Sequence, residues 1–524
     1  MPHDGLFVRR NNAFGTRASM GIADLIENGV LIDQTQIRFD DFVASRSDEV
    51  PSPPAGEAVA VSHGCAEPPG DAKARESTTH FLEIALRAAD HAPDTPRGEV
   101  LPVNFVFAVD TSASMFGEKL DTVKSALHQL YEQLRDIDIL GIVTFDTRVS
   151  TVLKATPKRE LSLERLTQVI SGLTATGGTD LNLGLRYGID EIARYGNDRL
   201  DLVNCLYLFS DGDPTSGETD WVQIRKNVAE RLRGDLTLSC FGFGTDARTR
   251  ELQALAGLTG GHCTFVTDPG EVRLNLAEDL TRREHLAAIN VQLRIEIDPD
   301  IRVWHLYGHD LITDPAAREA VLQEAREARR RGEEQSGAPG LPDLITGEKG
   351  IRIFAPDLAY GETYWIVLEI ELPDGTTPED ALGSATVQYV DVLARDNRRH
   401  EWSLTPAGTI SAQTVAVHAI GLWTSEITFY ALDDLYEHDR ATAKQRLSRH
   451  AEVLRNAYST MRVPQLRDDR VTLIKLISLS GNLDQPATWH DPVGPADAMR
   501  GYAVHALNAF GRVRAGYTRH TPHT

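Results

Sequence analysis

Cysteine, positive charge and long apolar runs are what this sequence has least of. Four cysteines, Cys65, Cys205, Cys240 and Cys263, are scattered through 524 residues without C-x-x-C spacing. That excludes a disulfide-stapled scaffold and a cysteine-built zinc site. Cys205, Cys240 and Cys263 fall in or beside stretches that read as strands, where a thiol packs as a small hydrophobe. This usage fits a reducing, cytoplasmic setting. Lys and Arg number 54 against 76 Asp and Glu, a net charge of −22, and no basic stretch is clustered. Nucleic acid is therefore a poor partner, and the acidity reads as solubility. No apolar run approaches the ~20 residues of a membrane span. The opening M-P-H-D-G-L-F-V-R-R has no apolar core ahead of a small-residue cleavage site, so no secretory leader is expected. Also missing are G-x-x-x-x-G-K-S/T, G-x-S-x-G and H-E-x-x-H, the marks of phosphate loops, nucleophile elbows and zincins.

What is present begins with length, which exceeds a single core and implies about three or four domains. Residues 1–48 form an N-terminal extension with a short amphipathic pattern (Ile22, Leu25, Ile26, Val30, Leu31). Residues 49–100 read as a Pro- and Gly-rich linker with a short strand at Ala58–Val61, then a half-buried strand, His80–Ala89, belonging to a β-domain. Residues 101–285 alternate strand and helix. Strands are predicted near Val103–Val109, Ile139–Phe145, Val149–Leu153, Val203–Phe209, Leu236–Phe243 and His262–Val266. Helices fall around 118–135, 160–172, 181–195, 219–233 and 247–257. This is the α/β pattern of a mainly parallel sheet covered on both faces. The tight join at Asp146-Thr147 makes one edge strand antiparallel. Residues 286–412 are β-rich and sandwich-like, interrupted at 314–333 by a polar, Arg- and Glu-rich helix read as solvated. Residues 413–524 read as a helical bundle, with Leu447, Ala451, Leu454, Tyr458 and Met461 on one face.

The central stretch is Phe105 to Met115, F-V-F-A-V-D-T-S-A-S-M. An apolar run ends in one carboxylate and two hydroxyls, so a buried strand delivers Asp110, Ser112 and Ser114 to its carboxyl end. Such oxygen donors suit Mg²⁺ or Mn²⁺ rather than zinc. A-T-G-G-T-D then offers Thr179 at the start of a helix, and F-S-D-G-D ends a neighbouring strand in Asp211. Together D-T-S-A-S, T-G-G-T-D and F-S-D-G-D resemble the metal-ion-dependent adhesion site of von Willebrand factor type A (VWA) domains. The later F-G-F-G-T-D-A-R-T-R-E-L-Q resembles the last strand–helix–strand of bacterial members. The resemblance covers about 101–285.

It implies direct ligation by Ser112 and Ser114, with Thr179 binding directly or through water and Asp110 and Asp211 mostly through water. The ion would be Mg²⁺, or Mn²⁺ or Ca²⁺ in its place. With two carboxylates it would keep positive character and an exchangeable position for a partner's Asp or Glu. Asp180 and Asp213 read as a helix-start acid and a turn residue. Ala113, where many bacterial members carry Gly, leaves the ligands intact. The flanks imply a VWA domain inserted into the β-domain, with strand 80–89 joining strands beyond 288. The leading expectation is a non-enzymatic, metal-dependent protein-binding module. The resemblance suggests a partner such as a MoxR-type AAA+ ATPase. Two rivals are a hydrolase using the same ion, with Asp213 or Asp146 as base, and a metal-independent assembly subunit. Trp489-His490-Asp491, His438, His450, Trp423, Tyr430 and Tyr436 read as surface or packing residues.

Overall fold

The computed structural model describes residues 6–10, 42–43, 49–90, 102–196, 202–232, 236–243, 249–256, 258–259, 263–266, 272, 286–313, 341–347, 349–355, 357–392, 394, 396–436 and 439–481, with individual positions between 315 and 333. The amphipathic pattern at 22–31, Trp489-His490-Asp491 and His438 lie outside them.

The central sheet runs β6 (Val149–Pro157), β5 (Ile139–Phe145), β4 (Val103–Asp110), β7 (Val203–Ser210), β8 (Thr237–Phe243) and β9 (Cys263–Val266), in that spatial order. All pairs are parallel except β5 with β6. The ends match the expected ones within three residues, except that β6 continues to Pro157. From β4 the chain builds outward through β5 and β6, then returns to place β7 on the other side of β4. The crevice between β4 and β7 is thus the topological switch point, where ligands of open α/β sheets bind.

Both faces of β4 are covered because its side chains alternate. Phe105, Phe107 and Val109 pack with α1 (Glu118–Gln133) and α2 (Leu163–Ser171). Val106 and Ala108 pack with α3 (Leu181–Gly196), α4 (Trp221–Arg231) and α5 (Thr249–Ala256). On the first face a row of rings crosses the strands, with Phe107 5.3 Å from Tyr207 and Phe209 5.0 Å from Phe241. On the second, α3 lies so close that a Cβ on Gly184 would sit 2.5 Å from the Phe145 ring.

The flanking strands form two further sheets. One contains β12 (His309–Leu311), β1 (Phe7–Arg10), β13 (Ile351–Phe354), β10 (Leu286–Ile297), β16 (Gly383–Asp391) and β17 (Asp396–Leu404) in that order, with β14 (Leu358–Ala359) also on β10. The other runs β11 (Arg302–Leu306), β15 (Thr363–Glu371), β3 (His80–Ala88), β2 (Val59–Ala66). Leu293, Ile295, Ile353 and Val387 of the first meet Leu82, Ile84, Ile366 and Leu368 of the second in one core, a β-sandwich. β3 precedes the central domain and β15 follows it, and the two pair from Arg87–Thr363 to His80–Ile370. The α/β domain is therefore an insertion between two neighbouring strands of the sandwich.

Four expectations are corrected by the fold. The strand at 58–61 extends to Ala66. β3 is not half-buried: Phe81 to Ala88 are all buried, because the C-terminal helices cover its second face. Those helices are α6 (Ala412–Tyr436), α7 (Arg440–Met461) and α8 (Pro464–Gly481). Third, Ala412–Leu435 does have the length and composition of a membrane span. Yet 72% of that window is buried, with Val415, Ala419 and Leu422 packed on Phe81, Ala85, Trp365, Leu447 and Leu466. α6 is the central helix of this core. Fourth, the described residues of 315–333 are helical, and Val321 and Ala325 pack beneath them on Phe7, Ile345 and Phe354. Among the described residues of this stretch, Glu319, Arg326 and Arg330 are exposed.

Candidate metal centre

β4 ends in Asp110, which is fully buried, and both carboxylate oxygens are engaged by protein donors. Oδ1 accepts from the Ser112 amide at 2.8 Å and Oδ2 from the Ser210 hydroxyl at 2.7 Å. Ser210 Oγ in turn accepts from the Gly212 amide at 3.1 Å. Asp110 thus fixes the turn after its own strand and the turn after β7. Burial pushes its carboxyl up to about 6, against the pull of the hydrogen bonds from Ser112 and Ser210 and with Asp211 nearby adding to the rise. Holding this carboxylate charged costs free energy that a nearby cation would offset.

The two serines do not cap the helix that follows. Gly117 precedes α1, while Ser112 Oγ and Ser114 Oγ lie 3.0 Å apart. Ser114 donates its hydrogen to Asp211 Oδ1 at 3.0 Å, so Ser112 is the donor within the pair and one lone pair of Ser114 Oγ stays available. Two oxygens on adjacent positions of an octahedral Mg²⁺ shell are separated by about 3 Å, since each bond is about 2.1 Å. The serine pair has that spacing.

The glycine-rich loop comes to the same edge. The Ala113 amide donates to the Gly177 carbonyl at 3.1 Å and the Thr176 amide to the Thr111 carbonyl at 2.7 Å. Gly177 has φ +75°, a conformation that favours glycine. Thr179 is buried, and its backbone is held by 215–216: its amide donates to Thr215 Oγ1 at 2.9 Å and its carbonyl accepts from the Thr215 and Ser216 amides. The loop is thereby clamped from both sides. Asp180 caps α3, accepting from the Leu183 amide at 2.9 Å, as its position at the helix start implies.

Two residues at this centre escaped the sequence reading. Ser210 holds Asp110, and its signal was adjacency to Asp211. Lys119, on the first turn of α1, places Nζ 2.7 Å from Asp211 Oδ2. Nothing in the spacing of the motif points to that contact. Among the described residues no three or more His, Cys, Asp and Glu converge, so an ion here would rest on hydroxyls backed by two carboxylates. That donor set fits a hard divalent cation.

The family model for the von Willebrand factor type A domain matches residues 104–279. That stretch is a VWA domain. An uncharacterized protein of Synechocystis is 28% identical over 272 residues, 52% of this chain and 60% of its own length. Bovine inter-alpha-trypsin inhibitor heavy chain H4 is 27% identical over 191 residues, 36% of this chain and 21% of its own. The chain thus spans less than two thirds of either relative. Among solved structures, a von Willebrand factor type A protein from Catenulispora acidiphila aligns over 81% of this chain and 96% of its own at TM-score 0.48 and 16% identity. The ArnB paralog VWA2 from Sulfolobus acidocaldarius aligns over 81% and 98% at TM-score 0.44 and 15% identity. The VWA assignment implies a protein-interaction module.

Proposed function

We propose that the VWA domain binds an acidic segment of a partner protein in a divalent-cation-dependent way. Ser112, Ser114 and Thr179 would hold the ion, with Asp110 and Asp211 orienting them, and the ion would be Mg²⁺, Mn²⁺ or Ca²⁺. A cation bound there would supply an electrophilic position that accepts a carboxylate oxygen of Asp or Glu. The observation that carries this reading is the serine pair, 3.0 Å apart at the switch point, with Ser114 already donating to Asp211. Asp110 keeps the Ser112 turn in place, and the clamped loop carries Thr179.

Against hydrolysis with Asp146 as the base stands the engagement of its carboxylate. Its Oδ1 accepts from the Arg148 amide at 2.6 Å and the Thr147 hydroxyl at 3.3 Å, and its Oδ2 from Thr176 at 3.2 Å. Both oxygens thus hold the loop together, which is a structural role for this carboxylate. We place the protein in the cytoplasm, a reading supported by four buried cysteines, all free thiols. A MoxR-type AAA+ ATPase is the partner class the resemblance favours. The test is affinity capture from native lysate with Mg²⁺, with EDTA and with the Asp110→Ala protein. A partner held only by wild-type protein with Mg²⁺ supports the proposal. Partners indifferent to all three conditions transfer the function to the sandwich and helices.

A further inference from the structure

Lys119 reaches from the first turn of α1 to the carboxylate that accepts from Ser114. Its Nζ lies 2.7 Å from Asp211 Oδ2, while Oδ1 of the same carboxylate accepts from Ser114. The Asp211 side chain is 4% exposed and that of Lys119 26% exposed, so the pair is only partly screened by water. A tethered ammonium therefore sits one carboxylate away from the hydroxyls proposed to hold the ion. Asp110 and Asp211 contribute two negative charges, and Lys119 cancels one. With a divalent cation added, this centre would carry a net single positive charge. Without the lysine it would be neutral.

We propose that Lys119 sets a trade at this centre: it weakens binding of the divalent cation and strengthens capture of a carboxylate by the loaded site. The inference rests on the cation-dependent reading above and adds to it a residue that regulates the same site. The physical basis is Coulombic. A positive charge held against Asp211 repels an arriving cation, and the positive character it leaves attracts an anionic side chain. A lysine that merely tied α1 to the β7 turn would affect stability, with no opposed effects on the two ligands.

The test uses the full chain as wild type, Lys119→Gln, Lys119→Arg and Asp110→Ala. Mn²⁺ affinity is read by electron paramagnetic resonance titration. Binding of a fluorescein-labelled hexaglutamate peptide is read by anisotropy at saturating Mn²⁺, with EDTA as the blank. Lys119→Gln should bind Mn²⁺ roughly fivefold more tightly and the peptide more weakly by a comparable factor, the size of one partly screened charge. Lys119→Arg keeps the charge and should stay near wild type in both. Mn²⁺ binding by Lys119→Gln but not by wild type would also support the proposal. Unchanged or weaker Mn²⁺ binding in Lys119→Gln, or tighter binding with no loss of peptide, would overturn it and leave the cation reading standing. No Mn²⁺ binding by wild type, Lys119→Gln or Lys119→Arg would overturn both.

Discussion

Ser112 and Ser114 are two residues apart, and one is buried while the other is exposed. That difference separates their roles in a mutational test. Ser114→Ala removes an exposed hydroxyl and its hydrogen bonds to Ser112 and Asp211, so stability should fall by only about 1 kcal/mol. Mn²⁺ affinity by the same titration should fall at least about tenfold. Retained affinity would exclude Ser114 as a ligand. A second residue with a measurable consequence is His450 of α7. Its Nε2 lies 2.8 Å from Thr424 Oγ1, whose own hydrogen goes to the Ile420 carbonyl, so the ring donates. Its Nδ1 is buried without a partner, and burial lowers its pKa from 6.5 to about 3. The unfolded chain therefore takes up a proton below pH 6.5 that the folded chain refuses until about pH 3. Stability should fall across that window by up to about 1.4 kcal/mol per pH unit from this group. Urea melts at pH 6.5, 5.5 and 4.5 should show a shallower decline in His450→Gln than in wild type. Equal slopes would assign acid sensitivity to other groups.

At the scale of elements, α3 positions the glycine-rich loop, and its seat depends on small residues. Alanine is the better helix former by about 1 kcal/mol. At Gly184, however, the added methyl would meet the Phe145 ring at 2.5 Å with its Cβ and Cγ in the way. Overpacking of this kind costs about 1–3 kcal/mol, so Gly184→Ala should be net destabilising in a denaturant melt. Stabilisation would mean that α3 can move off the sheet. The amino end of β4 has its own anchor. Buried Asp138 accepts from the Val103 and Arg135 amides and pairs with the Arg135 guanidinium at 2.7 Å. Asp138→Ala strands those donors and should cost about 3 kcal/mol, read as a lower denaturation midpoint with an unchanged slope.

Over the whole molecule, one sheet links the parts. The sheet β2–β3–β15–β11 packs the sandwich core on one face and the helices on the other. Within the second interface Glu83 Oε1 meets His418 Nδ1 at 2.9 Å, both fully buried. Glu369 accepts from the Ala74 amide and the Thr78 hydroxyl at 2.7 Å each and from the Tyr307 hydroxyl. Glu426 of α6 lies 3.1 Å from His305 Nε2 of β11. Removing residues 412–524 would expose Phe81, Ala85, Trp365 and Val367 along with uncompensated polar groups. That truncation should bind 1-anilinonaphthalene-8-sulfonate and aggregate, measured by fluorescence and light scattering. A soluble, non-binding truncation would show that the helices are a separable unit.

The unbroken apolar run F-V-F-A-V ahead of Asp110 and the four-three-four spacing of Val123, Leu127, Leu130 and Leu134 were enough to predict a buried strand, its covering helix and the edge at which Asp110 arrives. Both are local patterns, written directly in which residues must leave water. The motifs likewise named Ser112, Ser114, Thr179 and Asp211 as candidates. What they could not contain was the partner of each side chain across long sequence distances. β17, D-N-R-R-H-E-W-S-L, is an edge strand with mostly exposed side chains, so it carries little apolar signal and is defined by pairing with β16. β1 is four residues long and exists by pairing with β12 and β13, some 300 positions away. The fully buried Glu83 in β3 reads as the polar half of an amphipathic strand until α6 arrives to cover it. Lys119 and Asp211, 92 residues apart, meet because β4 and β7 are neighbours and α1 starts beside both. Local periodicity decides which face is buried; only the closed packing of the chain decides what that face meets.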